Sequence, residues 1–173
     1  MYDFNLLVSC PWTMSGAATR EVALFLKLLG DEEPIVKRTA ARGVIGVKTS
    51  LDARTVVREL GSILRDDPAA FQYTLKWVPV DLWVSSDLES MREAVLKLRD
   101  QIRPGERWRM TVEKRRYTMY HKIDIIDGLA ELIDEKVDLR NPDKIVRIDI
   151  IRKNAGVSVL SPQHIFSTTR LQL

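Results

Sequence analysis

A single cysteine, Cys10, and two histidines, His121 and His164, are all that the sequence holds of the side chains most often recruited to bind transition metals. One thiol forms no internal disulfide, and no His or Cys falls at metal-ligand spacing, so no disulfide framework and no metal are expected. Glycine is scarce too: its eight copies are scattered, with no Gly-x-Gly-x-x-Gly and no Walker loop to cradle a phosphate, and no cofactor is expected. Long apolar runs are also missing. The uncharged stretches Phe4 to Thr19 and Asn154 to Thr169 are broken by Pro, Ser, Thr or Asn and fall short of a membrane span. No basic region precedes an apolar one at the N-terminus, so no signal peptide is visible and a cytoplasmic location is the default expectation.

What remains is a globular composition. Hydrophobic residues make up 45% and charged residues 29% of the 173, enough to bury a core without staples. The net charge is only +3, but it is unevenly placed. Between Gln101 and Lys122 seven bases (Arg103, Arg107, Arg109, Lys114, Arg115, Arg116, Lys122) stand against Glu106 and Glu113, a local excess of +5. A second run, Lys37, Arg38, Arg42 and Lys48, contains no acid from Ile35 onward. Two positive segments in an otherwise slightly acidic chain suggest one basic face for a phosphate-bearing ligand; the plain alternative is a solvated charged face.

Hydrophobic periodicity predicts strands and helices in mixed order. Phe4 to Cys10 reads as a strand. Val22, Phe25, Leu26 and Leu29 fall on one helix face, closed by Gly30. Short β segments around Ile35–Thr39 and Gly43–Thr49 precede a helix capped by Ser50 that carries Val56, Val57, Leu60, Ile63 and Leu64. Tyr73 to Val84 is β-rich. This βαββαβ order predicts a ferredoxin-like domain over residues 1–84, followed by a second α+β domain over residues 85–173. The second half opens with Ser86-Asp87-Leu88-Glu89, a capping-box pattern, before a helix with Met91, Val95, Leu98 and Ile102 on one face. Residues 107–116 alternate, so Trp108, Met110 and Val112 point to the core while Arg107, Arg109 and Arg115 point outward. A further helix carries Ile126, Leu129 and Ile133, and a strand over Ile145–Arg152 ends in a hairpin turn at Asn154-Ala155-Gly156.

Catalytic constellations are sparse. Cys10 at a strand end reads as a buried thiol, and Asp31/Glu32/Glu33, Glu89/Glu93 and Asp127/Glu131 read as loop or helix-surface carboxylates. No catalytic residue is assigned, and the expectation is a protein that is not an enzyme.

The segment Val137-Asp138-Leu139-Arg140-Asn141-Pro142-Asp143, with the strand after it and the basic strand Trp108–Arg116 before it, resembles the signature of THUMP domains. Upstream, Gly43–Asp52 is similar to the ferredoxin-like domain that accompanies THUMP in RNA-modifying proteins. The resemblance implies recognition of tRNA, chiefly its acceptor stem and 3′ tail, by Arg107, Arg109, Lys114, Arg115, Arg116, Tyr117 and Lys122, joined by Arg42, Lys48 and Lys153 where both domains share one face. Tyr117 and Tyr120 either stack on bases or pack into the core, and Trp108 is assigned to the core. By this resemblance the sequence ends about where a THUMP domain ends, and the expectation is that no catalytic domain is attached. A stand-alone pair of this kind is similar to adaptor proteins that help an RNA acetyltransferase form 4-acetylcytidine, which would be the protein partner. The alternative is a small RNA-modifying enzyme with a dispersed active site; a third reading is a protein-interaction module with an incidental basic patch.

Overall fold

The apolar run near the N-terminus is a strand, β1 (Leu6–Ser9), and the turn residues behind it release the chain into helix α1 (Ser15–Leu28), in a computed structural model that describes residues 1–169. Then follow β2 (Ile35–Arg38), β3 (Val44–Lys48), α2 (Ala53–Asp66), β4 (Lys76–Pro79), β5 (Leu82–Ser85) and α3 (Leu88–Leu98). The remaining elements are β6 (Trp108–Arg115), α4 (Lys122–Ala130), β7 (Lys144–Ile151), β8 (Asn154–Leu160) and β9 (Phe166–Ser167). Helix ends follow local chemistry. Gly30, at φ 115°, lets its N–H reach the Lys27 carbonyl while the Asp31 N–H reaches Leu26, a Schellman closure of α1. The caps of α2 and α3 are Asp52 and Asp87, whose carboxylates accept from the Thr55 and Ser90 N–H groups at 2.9 and 2.8 Å, and not the predicted Ser50 and Ser86. A carboxylate reaching the third helical N–H also meets the positive end of the helix dipole, an attraction the serine hydroxyl lacks.

Two sheets result, with strand orders β2-β3-β1-β4-β9 and β5-β8-β7-β6. In the first, β1 lies antiparallel between β3 and β4, with β2 outside β3. This is the ferredoxin-like order expected of βαββαβ, with β9 added beyond β4. Val22 and Leu26 of α1 and Val56 and Leu60 of α2 close a core with Leu6, Val8, Ile45, Val47 and Trp77 of the sheet. Two buried acids complete it. Glu21 accepts from the backbone N–H groups of Gln72, Tyr73 and Thr74 and so fixes the entry to β4. Asp31 accepts from the Thr49 hydroxyl at 2.6 Å and from the Ser50 and Glu33 N–H groups. Burial raises the Asp31 pKa, and these hydrogen bonds outweigh it, leaving the group below its ordinary value.

In the second sheet β6 and β7 run parallel, joined through α4, while β8 is antiparallel to both β7 and β5. One face packs Val112, Val146, Ile148 and Val157 against Met91 and Val95 of α3 and Ile125 and Leu129 of α4. The sheets belong to two compact units that do not follow the predicted 84/85 boundary. One is Phe4–Val80 with the chain from Gln163 onward; the other is Met1–Asp3 with Asp81–Pro162. β5 pairs with β8 and so joins the second unit, whereas β9 returns to β4 through Trp77↔Phe166 and Lys76↔Ser167. Of the predicted second domain, residues 170–173 lie outside the described residues. The predicted hairpin turn also moves. Ile151 pairs with Asn154, so the turn is Arg152-Lys153, and Asn154-Ala155-Gly156 lies inside β8. Among the described residues no helix is long and apolar enough to cross a membrane.

A pH dependence follows from Asp31. Its folded pKa lies below its unfolded value of about 3.9, so its stabilisation is present above that pH and fades as pH falls through the folded value. Urea midpoints at pH 7 and pH 3 should differ less for Asp31→Asn than for the parent chain; an equal difference would remove Asp31 from the account.

Candidate nucleic-acid interface

The bases of the β6 segment do not form one face. The eight residues of β6, at about 3.3 Å each, hold its two ends roughly 25 Å apart. At the N-terminal end the bases are engaged in building a loop. The Arg107 guanidinium meets Asp138 at 3.2 Å, and the Arg107 N–H donates to Asp143 at 2.9 Å. Arg109 donates from Nη1 to the Leu139 carbonyl at 3.3 Å, and its buried Nε has no partner among the described residues. Asp138 also accepts from the Arg140 and Asn141 N–H groups, and these bonds, with the Arg107 contact, hold its carboxyl below the ordinary range. The 137–143 segment is thereby folded back along the start of β6, with Leu139, Arg140 and Asn141 exposed.

Further along β6 the predicted outward residues divide again. Arg115 lies on the sheet face opposite the helices, three-quarters covered, and donates to Asp149 at 3.0 Å. Asp149 is itself buried and takes two further bonds from buried Arg147, at 2.9 and 3.2 Å. Arg115 thus keeps the face that the alternation predicts but is tied into a charged cluster there; a carboxylate thirty-four residues away claims it. Lys114 donates to the Tyr120 carbonyl at 2.7 Å and stands 5.9 Å from the centre of the Tyr117 ring. The Tyr117 hydroxyl donates to the Ser86 carbonyl at 2.7 Å. Burial first, then the neighbouring Tyr120 and Asp87, push its pKa up to about 12. Both tyrosines are partly buried against the hydrophobic core, and Trp108 is buried.

A basic cluster does form at the C-terminal end of β6. Arg115 pairs in parallel register with Ile151, so the next residues of the two strands, Arg116 and Arg152, leave the sheet side by side. Both turn out with left-handed backbones, φ 55° and 54°, and both are exposed. The exposed Lys153 completes the turn. The Arg152 N–H donates to Arg115, the Ser86 hydroxyl donates to Arg152, and the Ser86 N–H donates to Lys153, tying the turn to two neighbouring segments. Lys122 opens α4, where the dipole disfavours a cation by about 0.3–1 kcal/mol. Lys153 therefore joins Arg116 without help from the other unit. Arg42 and Lys48 lie in that other unit, in the loop before β3 and at its end. Arg152 was missed because it reads as a strand residue; the pair Arg152-Lys153 between two β patterns was the available signal.

Left-handed φ at a residue with a Cβ costs roughly 1–3 kcal/mol and is found where function retains it. Arg152→Gly should leave stability unchanged or raise it by up to about 1 kcal/mol. Thermal denaturation beside an RNA-binding assay checks this, with binding expected to weaken while the fold does not; parallel loss of both would make Arg152 a folding residue.

The class these features define is a two-unit α+β protein whose second unit presents a basic strand end. The family model of the THUMP domain matches residues 85–160 of this chain. Among solved structures, PH1313 from Pyrococcus horikoshii Ot3 superposes with a TM-score of 0.69 at 16% identity, over 92% of this chain and 55% of that one. TrmN from Thermus thermophilus gives 0.63 at 15% identity, over 93% and 47%. A 4-thiouridine synthetase in complex with RNA and ATP gives 0.57 at 16% identity, over 95% and 42%. These likenesses are of fold, and the chain spans about half the length of the proteins it resembles. Among curated proteins none is similar enough to count as a match.

Proposed function

We propose that this chain is a non-catalytic adaptor that binds tRNA by its acceptor stem and 3′ tail and presents it to a separate modifying enzyme, an RNA acetyltransferase that forms 4-acetylcytidine. The observation that carries the binding step is the exposed trio Arg116, Arg152 and Lys153 at one strand end of the THUMP domain. Side chains cannot read the deep major groove of A-form RNA, so recognition proceeds through shape, phosphates and unpaired nucleotides. Guanidinium forks and an ammonium group at a rigid strand end suit phosphate oxygens. The fold likeness to a synthetase solved with RNA adds support. The acetyltransferase partner rests on the resemblance of the sequence to stand-alone adaptors.

Presentation works by proximity. An RNA held on the adaptor reaches the enzyme as a nearly intramolecular substrate. Tethering binds ground and transition states alike, so it should lower the enzyme's apparent KM for tRNA more than it raises kcat. Gel shifts of intact tRNA and of tRNA lacking its 3′ tail test the first half, with weaker binding expected for the shortened RNA. Nucleoside mass spectrometry after incubation with acetyl-CoA, ATP, tRNA and an RNA acetyltransferase tests the second. Modified nucleoside formed without the acetyltransferase would make this chain an enzyme, and no stimulation in its presence would end the adaptor reading.

A further inference from the structure

Two sequence stretches without any Asp or Glu, Pro11–Arg20 and Ile35–Leu51, meet in the ferredoxin-like unit. The pairing Ser9↔Val44 places the chain leaving β1 beside the chain entering β3, and the Cys10 N–H donates to the Gly43 carbonyl at 2.9 Å. Gly43 makes this approach possible. Its φ is 74°, and a Cβ there would lie 2.6 Å from the Cys10 carbonyl oxygen and 3.6 Å from the Trp12 nitrogen. The neighbouring Arg42 thereby sets its guanidinium 5.4 Å from the centre of the Trp12 ring, within cation–π range. Trp12 is held from its backbone, whose carbonyl accepts from the Ser15 hydroxyl at 2.8 Å, and its side chain stays out of the core at 62% exposure. Two more arginines arrive from other elements. Arg38 ends β2 and Arg20 rises from α1, and both reach over Gly16: a Cβ on that glycine would lie 3.5 Å from Arg38 Nη2 and 3.9 Å from Arg20 Nη1. Among the described residues no carboxylate pairs with Arg20, Arg38 or Arg42.

We propose that Trp12 and Arg42 form a stacking platform for an unpaired nucleobase, with Arg20 and Arg38 holding the adjoining phosphate over Gly16. Converging guanidinium groups without a counter-charge repel one another, and an anion relieves that repulsion. An exposed indole backed by a guanidinium offers a flat π surface that accepts any base and makes no demand on its edges. The ligand that satisfies both features is a single-stranded nucleotide segment, since a duplex hides its base faces within the stack. This inference deepens the RNA-binding reading and rests on it, but it places a second contact on different residues, in the unit outside the matched THUMP stretch.

The test uses the intact chain, short single-stranded oligoadenylate and tryptophan emission. Trp12 is the most exposed of the indoles, with Trp77 and Trp108 buried, so stacking should quench emission saturably. Trp12→Leu should abolish most of the quench and weaken binding, measured by fluorescence anisotropy of labelled oligoadenylate, about fivefold or more. Trp12→Phe, which keeps an aromatic face, should retain affinity within about twofold. Replacing Arg20 and Arg38 with Gln should flatten the salt dependence of the same binding. Unchanged anisotropy with Trp12→Leu overturns the platform. Quenching by an acidic peptide and not by oligoadenylate also overturns it and makes the patch a protein-docking surface. Intact tRNA bound in gel shifts without any oligoadenylate quench would sink this site and leave the proposed function standing, whereas loss of both RNAs would sink the two together.

Discussion

Asp149→Ala should lower the stability of this chain by about 3–5 kcal/mol, because it strands buried Arg147 without a counter-charge. Three bonds converge on this carboxylate: two from Arg147 as a fork and one from Arg115 of the neighbouring strand. The attraction within such a cluster is opposed by the cost of drying all its members, so its net worth is small, whereas the cost of breaking it is large. The comparison variant replaces Arg147 and Asp149 together by Met and Leu. It removes both buried charges at similar volume and should recover most of the loss. Urea midpoints at constant m-value measure both. A loss under about 1 kcal/mol for Asp149→Ala would show that water reaches the cluster and screens it.

Reversing charge at the turn itself acts on binding alone. Arg152→Glu with Lys153→Glu should weaken tRNA binding at least tenfold, about 1.4 kcal/mol. The slope of log K against log salt should fall by about 0.7 for each single-strand phosphate contact removed. Both side chains are exposed and neither anchors a neighbour in the way Arg107 anchors Asp138, so the fold should be preserved. Arg107→Glu is the informative contrast. It puts two carboxylates together at the 137–143 loop and should disturb that loop's amide signals in NMR spectra before it changes the salt slope. Unchanged affinity and slope in the Arg152/Lys153 variant, with the fold intact, would move the interface elsewhere on the chain.

The ferredoxin-like unit was legible because its elements announce themselves locally: period-3.6 runs in α1 and α2, short apolar strands, and turn residues between them. Its last strand was not. β9 has two residues, too few for any period to show, and only its pairing with β4 reveals it. The basic character of β6 was equally plain, but what each base does depends on acids thirty or more residues distant. Asp138 takes Arg107 and Asp149 takes Arg115, and nothing in the local alternation marks either acid as a partner. The turn at Arg152-Lys153 carries no glycine, so the nearby Asn154-Ala155-Gly156 drew the assignment. Trp12 stood in a stretch with no periodicity at all. An indole that no helix or strand pattern would bury, in a chain whose next acid-free run holds Arg38 and Arg42, was the signal available there.

The path of β9 reverses the order of completion during synthesis. A ribosome delivers βαββαβ first, but the fifth strand of that sheet emerges only after Asp81–Pro162, the stretch that builds the second unit. At about 5–20 residues per second, this interval lasts roughly 4–16 s. Throughout it the nascent sheet shows the outer edge of β4, a row of backbone groups able to pair with any passing strand. The edge carries Lys76 at one end and Pro79 at the other, a charge and a missing N–H, both of which discourage such pairing. The unit that is first to leave the ribosome is therefore the last to be finished, and its most vulnerable strand is brief and guarded at both ends.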